Sequence, residues 1–372
     1  MEKLYEHKLC ELYSIHSGIS SAKDQAGHGY PFLSFKTVFD NYFIPKELPD
    51  LMDCCEKDWE QYSVKRGDLF LTRTSETVDE LAMSSVALQD QEKATFSGFL
   101  KRLRPKQEEK ICPEFAGFYF RSPYFRRLIN NYTTLTTRAS FNEDIFSFLK
   151  VYLPEYHSQE KIGHTLYLIE QKIENNNCIN DNLQQVIKSC FDFMFATRKP
   201  NGIISDILQE HPKSTIQVND STGILGDYPF FTSGEAINEW QSALVDGMNC
   251  YLSTGGNATI KGYYGKAAYS TDTWCVCGKG EYSFYLFCYL KSIIRSINDS
   301  FFAGSGLKHL QKDSLLLVNL YIPSEKELEK FNSIVKPAME TMTKLFLETK
   351  KLKQQRDFLL PLLMNGQATI AE

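Results

Sequence analysis

The clearest pattern in the chain is a spacing of apolar residues that alternates between three and four positions. Its first occurrence covers Ile162, Leu166, Ile169, Ile173, Asn176, Asn180, Leu183, Ile187, Cys190 and Met194. Positions spaced in this way share one face of a helix, as in the seam of a coiled coil. The pattern predicts one long helix of about 35–40 residues, which is about 50–60 Å at 1.5 Å per residue.

A second helix repeats this seam at a fixed offset, the 169 residues that separate Pro154 from Pro323. The corresponding positions are Phe331, Val335, Ala338, Met342, Leu345, Thr349, Leu352, Arg356, Leu359 and Leu363. A helix this long with one apolar stripe needs a partner in water. We therefore expect the two helices to pack antiparallel about a pseudo-two-fold axis, with the seam asparagines fixing their register. The alternative is two unrelated helices, each lying on its own globular region.

The segments before the two helices also correspond to each other. The aromatic runs at 118–120 and 284–287 each lead into a helical pattern, a polar loop and an apolar segment that ends in proline. Earlier in the chain, the Tyr-Pro-Phe at 30–32 matches the Tyr-Pro-Phe at 228–230. Self-similarity at this scale indicates an internal repeat.

Within the segments before each helix, short runs rich in aromatic and β-branched residues predict strands at 67–72, 115–119, 273–276 and 315–320. A short helix is predicted over 233–246. The predicted fold class is therefore α/β, with two mixed α/β domains joined by two long antiparallel coiled-coil helices in a pseudo-two-fold internal repeat. The predicted bounds are a first domain over 1–154, a first helix over 155–197, a second domain over 198–323 and a second helix over 324–372.

Composition supports a folded chain with more than one domain. The chain has 372 residues, of which 42% are hydrophobic, and its longest apolar runs are too short to span a bilayer. The first residues are charged and lack a signal-peptide core, so we expect a cytoplasmic protein without a membrane contact. The formal charge of −5 argues against a protein that coats nucleic acid indiscriminately. Because the basic residues are clustered, sequence-specific DNA binding stays open.

The chain lacks the motifs of several catalytic and metal-binding classes. Its ten cysteines and seven histidines show no Cys-x-x-Cys pair and no zinc-ligand spacing, so we expect reduced thiols and no metal. There is no Pro-Pro pair, as an adenine methyltransferase motif would need, and no Walker A loop. Residues 302–306 fit an S-adenosylmethionine-binding F-x-G-x-G only superficially, because they follow a polar stretch rather than a predicted strand.

One local stretch, together with the layout, resembles a known family. Residues 65–77, Lys-Arg-Gly-Asp-Leu-Phe-Leu-Thr-Arg-Thr-Ser-Glu-Thr, continued by 80–86, are similar to a stretch found in the specificity (S) subunits of type I restriction-modification systems. Residues 356–367 are similar to the end of the second spacer helix in that family, and the Tyr-Leu-Pro or Tyr-Ile-Pro before each helix is typical of it. The resemblance covers essentially the whole chain. The second domain departs from the first, with Leu-Ser-Thr-Gly-Gly-Asn at 252–257, which is compatible with two domains that read different half-sites.

The resemblance implies a non-catalytic DNA-recognition subunit whose two target-recognition domains read a bipartite target with a fixed spacer. The implied partners are double-stranded DNA, two modification (methyltransferase) subunits and restriction (translocase/endonuclease) subunits. It implies that this chain binds no cofactor, and that the partner subunits use S-adenosylmethionine, ATP and Mg.

Apolar residues off the seam suggest a further surface on both helices, where partners would dock. They are Leu168, Ile179, Val186, Phe191 and Phe193 in the first helix, and Ile334, Met339, Phe346, Leu347, Phe358 and Leu360 in the second. The alternative is that these residues pack against the chain's own globular domains.

We expect loop residues of the two globular domains to read the DNA. Arg offers a fork to guanine, Asn, Ser and Thr can bond to base edges, and Lys can bind phosphate. The candidates in the first domain are Ser34, Lys36, Thr72, Arg73, Thr74, Ser75 and Arg138, with Lys101, Arg102 and Arg104 as phosphate contacts. The candidates in the second domain are Thr232, Asn257, Lys261, Tyr263, Tyr264, Lys266, Ser305, Lys308 and His309. For any Ser or Thr among them, a local backbone hydrogen bond is the competing role.

Two other classes of protein compete with this interpretation. A methyltransferase or nuclease acting alone is disfavoured by the missing catalytic motifs. A coiled-coil adaptor that binds proteins rather than DNA would lack the steep salt dependence that phosphate contacts cause. The recognised sequence, the spacer length and the half-site read by each domain cannot be deduced from the chain.

Overall fold

A computed structural model describes residues 2–20, 23–75, 80–133, 139–304, 306 and 308–370. The chain forms two compact units. Unit 1 comprises Met1–Ile173 and Lys351–Glu372, and unit 2 comprises Glu174–Lys350. The unit boundaries therefore fall inside two long helices, and each of these helices contributes one part to each unit.

Unit 1 builds two small sheets and two paired-strand ladders before its first long helix. Its elements are β1 Tyr5–Lys8, α1 Leu9–Leu12, β2 Tyr13–Ser17, β3 Ala26–Leu33, α2 Phe35–Asp40, β4 Asp50–Met52, α3 Glu56–Gln61, β5 Leu69–Thr72, β6 Thr74–Ser75, β7 Ser84–Val86, β8 Thr95–Phe96, β9 Leu100–Pro105, α4 Pro113–Tyr119, α5 Pro123–Thr133, β10 Ala139–Ser140, α6 Glu143–Phe148, β11 Lys150–Leu153 and the start of α7 Tyr156–Phe195. One sheet has the antiparallel order β2-β9-β5-β7, and the other has the order β4-β3-β8 with β3 and β8 parallel. β1 pairs with β11, and β6 pairs with β10.

Unit 2 repeats this plan with shorter connections. Its elements after α7 are β12 Gly202–Ile203, α8 Ile204–Ile207, β13 Leu208–Glu210, β14 Tyr228–Phe231, β15 Ile237–Trp240, β16 Met248–Ser253, β17 Ile260–Tyr264, β18 Ala268–Tyr269, β19 Thr273–Gly278, α9 Ser283–Ser292, α10 Ile294–Ser300, β20 Phe302–Ala303, β21 His309–Leu310, α11 Lys312–Leu316, β22 Asn319–Leu320 and α12 Glu325–Met364. The strand orders are β13-β19-β16-β17 and β15-β14-β18, and β12 pairs with β22. The two sheet orders and the β12–β22 pair match those of unit 1, whereas the remaining pair is β20–β21 in place of β6–β10. The matching sheets confirm the internal repeat.

The two long helices, α7 and α12, run antiparallel where they meet. In unit 2, Asn176 Nδ2 donates to Glu348 Oε2 at 2.9 Å, whereas further along α7 the ring of Phe191 lies 6.3 Å from that of Phe331. In unit 1, Arg356 Nη1 donates to Glu170 Oε2 at 2.7 Å. As residue numbers increase along α7, the residues that they contact on α12 have decreasing numbers. The predicted antiparallel helix pair is therefore confirmed.

Seam residues of both helices enter the hydrophobic cores. Ile162 and Leu166 join the main core of unit 1, and Ile187 and Val335 join that of unit 2. Of the seam asparagines, Asn176 is 2% exposed, so its amide bonds to α12 replace water. The seam therefore serves two purposes, since it pairs the helices and also closes each unit's core.

Three short-range predictions are wrong. Residues 115–119 belong to helix α4, which begins at Pro113, and every side chain from 115 to 119 is buried, so its pattern carried no helical period. Residues 233–246 contain strand β15, which pairs with β14, instead of a helix. Residues 315–320 divide between the end of helix α11 and strand β22. Short apolar runs do not distinguish a strand from a buried helix.

Candidate nucleic-acid interface

In unit 1, strand β5 ends at a threonine whose hydroxyl bonds to the residues that precede β7. Thr72 Oγ1 donates to the carbonyl oxygen of Glu80 at 3.1 Å and accepts from the amide of Met83 at 2.9 Å. The Thr72 side chain is fully buried. The Thr72 hydroxyl is therefore engaged by Glu80 and Met83, and its contact with DNA stays a prediction.

The next residue, Arg73, leaves the sheet with its side chain exposed. Its amide donates to the carbonyl oxygen of Phe99 at 2.8 Å, and its own carbonyl accepts from the amide of Phe141 at 2.9 Å. The backbone of Arg73 is thus fixed on both sides while its guanidinium faces outward. Thr74, also exposed, pairs with Ser140 in the short β6–β10 ladder. We call this arrangement the strand-end surface of unit 1, formed by Arg73, Thr74 and Phe99.

Unit 2 builds the same arrangement from different residues. Strand β16 ends at Ser253, whose hydroxyl donates to the carbonyl oxygen of Asn257 at 2.8 Å and accepts from the amide of Thr259 at 2.9 Å. The amide of the next residue, Thr254, donates to the carbonyl oxygen of Asp272 at 3.3 Å, and its carbonyl accepts from the amide of Leu310 at 3.0 Å. Ser253 therefore corresponds to Thr72, and Thr254 corresponds to Arg73.

Exposed polar residues gather around this end of β16. The amide of Gly256 donates to the carbonyl oxygen of Lys308 at 3.0 Å, and His309 forms a bridge with Gly255. The side chains of Asn257, Lys308 and His309 are all exposed. The structure thus brings together these three predicted residues. We call Thr254, Asn257, Asp272, Lys308 and His309 the strand-end surface of unit 2.

The basic residues predicted as phosphate contacts on β9 are mostly engaged inside unit 1. Arg102 is only 4% exposed, and its guanidinium donates to the carbonyl oxygen of Ser63 at 2.6 Å. Arg104 forms a two-pronged ion pair with the buried Asp68, at 2.7 and 2.6 Å. Both arginines lie on the central strand β9 and satisfy acceptors within unit 1, and their contact with phosphate stays a prediction.

Lys101, at the start of β9, lies at the border of this interior. Its ammonium donates to Ser17 Oγ at 2.8 Å, and the residue is 7% exposed. Burial lowers the pKa of Lys101, and the neighbouring positive charge of Arg73 lowers that pKa further. Lys101 therefore adds positive charge beside Arg73, but its ammonium is already held by a protein hydroxyl.

Three predicted residues of unit 2 have side chains that bond or pack inside the unit. Thr232 is 4% exposed and its hydroxyl donates to the carbonyl oxygen of Ala236 at 2.7 Å. Lys261 donates to the carbonyl oxygens of Thr232 at 3.0 Å and Ala236 at 3.3 Å, and burial lowers its pKa. Tyr263 is buried against Phe346, and burial raises its pKa to about 12. The three side chains thus hold the β14–β15 hairpin and the core, and their contact with DNA stays a prediction.

The remaining candidates are spread over other places. Ser34 Oγ accepts from the amide of Thr37 at 3.3 Å as the N-cap of α2, and Lys36 follows it with an exposed side chain. Tyr264, half-buried, and exposed Lys266 lie at the opposite end of β17 from the strand-end surface. Arg138, Ser305 and the side chain of Ser75 lie outside the described part of the chain.

Sequence reasoning missed two exposed residues at these surfaces. Phe99 is 67% exposed, and the side chain of Asp272 is exposed at the corresponding place in unit 2. The Ser-Gly dipeptide before Phe99 indicates a turn there. No pattern in the sequence, however, relates the two turns or brings them beside Arg73 and Thr254.

Metal-ligating clusters and membrane-spanning helices are both absent from the described residues. No group of three or more His, Cys, Asp or Glu residues within this part of the chain is placed to hold a metal ion. Among the helices of the same residues, none is long and apolar enough to cross a membrane.

Comparisons with known proteins agree on one family. The family model described as the type I restriction modification DNA specificity domain matches residues 8–185. The specificity subunit of the type I restriction enzyme EcoDI from Escherichia coli is 27% identical over 151 residues, which are 39% of this chain and 33% of that protein. The chain thus matches about a third of that relative's length. The crystal structure of the S subunit of a type I restriction-modification system from M. genitalium has the same fold, with a TM-score of 0.67, 12% identity and coverage of 97% of this chain and 96% of the other.

Proposed function

We propose that this chain is the DNA-recognition subunit of a type I restriction-modification system, because the family model of the type I DNA specificity domain matches residues 8–185. In this proposal the chain itself catalyses nothing and reads a bipartite target in double-stranded DNA. Methylation and cleavage belong to modification and restriction subunits in the cytoplasm, which use S-adenosylmethionine, ATP and Mg.

The observation that carries the proposal is that both units present the same backbone construction with different exposed side chains. Unit 1 offers the guanidinium of Arg73, which can bond to guanine as a fork. Unit 2 offers the exposed amide of Asn257 and the exposed ring of His309 in the corresponding region. Two similar scaffolds with different hydrogen-bonding groups suit two different half-sites.

We propose the domain bounds 1–154 and 198–323 for the two target-recognition domains, with 155–197 and 324–372 as the spacer helices. Helices α7 and α12 have 40 residues each, about 60 Å at 1.5 Å per residue. In this proposal their length sets the unread spacer. Inserting one heptad into both helices, which adds about 10 Å to each, should change the spacer and leave both half-sites unaltered. Altered half-sites with an unchanged spacer would refute the role of the helices as a ruler.

The off-seam apolar residues support a partner-binding role for the helices. Six of them have exposed side chains, namely Leu168, Ile179, Val186, Phe193, Ile334 and Phe358. Phe191, Met339 and Leu360 instead belong to the chain's own cores, and Phe346 and Leu347 are half-buried. Some of the off-seam apolar residues are thus exposed, as a partner surface requires, and others pack within the chain's own cores, so each of the two alternatives describes part of the residues.

A pair of exposed residues outside the two long helices favours two partner copies. Phe148 at the end of α6 is 71% exposed, and Leu317, which follows α11 at the same repeat offset, is 67% exposed. A partner that recognises one of these sites should find a similar site in the other half. We therefore propose two modification subunits per chain. Mass measurement of the co-expressed complex tests this, and a monodisperse complex with one copy at saturation would contradict it.

The test of DNA recognition is methylome sequencing of cells that carry the whole system, combined with duplex binding at several salt concentrations. We expect a bipartite methylated sequence and binding that weakens steeply with salt. A coiled-coil adaptor would give no salt-dependent duplex binding. Methylation by the isolated chain would instead support an enzyme acting alone.

A further inference from the structure

We propose that each unit reads one base with the residue at the tip of a turn, and that the two turns occupy equivalent places in the two units. In unit 1 Phe99 contacts the C5-methyl group of a thymine, and in unit 2 Asp272 accepts a hydrogen bond from the exocyclic amine of a cytosine. This inference rests on the proposed DNA-recognition function and names the base chemistry that two positions select.

In unit 1, Phe99 lies at the tip of the turn that joins β8 to β9. The amide of Ser97 donates to the carbonyl oxygen of Leu33 at 3.0 Å, and the amide of Gly98 donates to that of Ile19 at 2.7 Å. The residue after Phe99 closes the turn through a bond of 2.9 Å to the carbonyl oxygen of Ser97. The backbone is thus fixed from three directions, and the phenyl ring at its tip faces outward.

In unit 2, Asp272 occupies the tip of a turn with the same bonds. The amide of Ser270 donates to the carbonyl oxygen of Phe231 at 3.0 Å, and the amide of Thr271 donates to that of Ile216 at 2.8 Å. The residue after Asp272 closes this turn through a bond of 3.1 Å to the carbonyl oxygen of Ser270. Four consecutive residues in each unit are therefore equivalent, and Phe99 and Asp272 hold the same place.

Both tips are also attached to the residue that follows the central strand. The carbonyl oxygen of Phe99 accepts from the amide of Arg73, and that of Asp272 accepts from both the amide and the hydroxyl of Thr254. A tip residue and a strand-end residue thus form one adjacent pair in each unit, in which Thr254 is half-buried and the other three residues are exposed. If Arg73 approaches a base, Phe99 approaches the same base or its neighbour, and Thr254 and Asp272 are related in the same way.

The chemistry of the two side chains selects different bases. An exposed phenyl ring cannot hydrogen-bond to a base edge, and the apolar group that the major groove offers is the methyl of thymine. A carboxylate is repelled by phosphates and by base acceptors, but it can accept from the N4 amine of cytosine, whereas adenine presents the N7 acceptor beside its own amine. Among the described residues, no ion pair or side-chain hydrogen bond occupies the carboxylate of Asp272. Asp272 therefore admits an amine and rejects acceptors at its position.

The experiment uses the full chain co-expressed with its modification subunit and a pool of randomised duplexes as the probe. Selected sequences are compared for the native protein, Phe99→Ala and Asp272→Asn. We expect Phe99→Ala to relax a thymine in one half-site and Asp272→Asn to relax a cytosine in the other half-site, each leaving the second half-site intact. The two variants are therefore each other's controls. Discrimination at the affected position should fall roughly 5- to 150-fold, the range for one mismatched base pair.

Deoxyuridine in place of thymine isolates the methyl group. At the position that Phe99→Ala relaxes, the native protein should bind the deoxyuridine duplex about fourfold more weakly, the value of one buried methyl-sized group, and the Phe99→Ala protein should not distinguish the two. Equal weakening on all sequences, or no sensitivity to deoxyuridine, would overturn the role of Phe99. Unchanged cytosine selection by Asp272→Asn would overturn that of Asp272. Absence of any sequence preference in the native complex would instead contradict the proposed function itself.

Discussion

Arg356 is expected to be one of the residues that most strongly stabilise unit 1. It lies on the seam of α12 and is enclosed, with 12% of its side chain exposed. Its guanidinium donates to Glu170 Oε2 of α7 at 2.7 Å and stacks 5.1 Å from the ring centre of Tyr42. The same guanidinium also reaches Asp357, whose side chain is 60% exposed. One cation thus connects α7, α12 and the globular part of unit 1.

Arg356→Met removes this charge and keeps most of the apolar length. It leaves the carboxylate of Glu170, whose side chain is 13% exposed, without a cation. Breaking a buried ion pair costs about 3–5 kcal/mol, and the residual exposure of this pair favours the lower end, about 3 kcal/mol. Since each kcal/mol shifts Tm by about 2–4 °C in domains of this size, the transition of unit 1 should fall by about 6–12 °C.

Thermal and urea unfolding, followed by circular dichroism on the full chain, measure this loss. Lys188→Met is the matched control, because it breaks the exposed pair with Asp192 on α7 and should cost less than about 1 kcal/mol. Adding Glu170→Leu to Arg356→Met should restore part of the stability, since the second change removes the uncompensated charge. If Arg356→Met is as mild as Lys188→Met, the pair does not hold the helices to unit 1.

Three further predictions concern other parts of the chain. Hydrogen bonds from the amide and hydroxyl of Ser324 hold the pKa of Glu327 below its ordinary value. The stability that this carboxylate adds is therefore present above the ordinary glutamate pKa and is lost as the pH falls through the folded pKa. The free energies of urea unfolding of Glu327→Gln and of the native protein should thus converge at low pH. Asn176→Ala removes two hydrogen bonds to α12 and should lower the free energy of unfolding by about 1–3 kcal/mol, whereas exposed Asn182→Ala should change it by less than about 0.5 kcal/mol. Arg73→Ala should weaken base discrimination in one half-site by about 1–3 kcal/mol, and an equal loss on every duplex in a binding titration would identify Arg73 as a phosphate contact.

The long helices and the repeat were predictable because both depend on regular spacing. A seam such as Ile162, Leu166 and Ile173 is visible in any helix that buries one stripe, since 3.6 residues per turn fix its period. The repeat offset was likewise set by landmarks, such as Pro154 and Pro323, at the ends of equivalent elements. Both features can therefore be recognised from the spacing of residues in the sequence alone.

The site was harder to predict because the same residue types serve two purposes. Thr72 and Arg102 have the chemistry of DNA contacts, but they satisfy acceptors and donors from distant segments of the chain. Whether a hydroxyl or guanidinium is free depends on which backbone groups the fold places beside it. Conversely, Phe99 has the chemistry of a core residue, and only the turn that fixes its backbone leaves it exposed.

The division of each long helix between the two units has a consequence for the order of folding. Unit 2 is one continuous stretch of chain, whereas the core of unit 1 includes Leu360, Leu363 and Met364 from the end of α12. The amide of Glu2 also donates to the carbonyl oxygen of Gly366 at 2.9 Å. During synthesis, domains generally fold as their residues emerge, and contacts between distant segments must wait for the later one. The unit that is synthesised first is therefore completed last, and an unfinished core remains open on the nascent chain until residues 351–366 have left the ribosome.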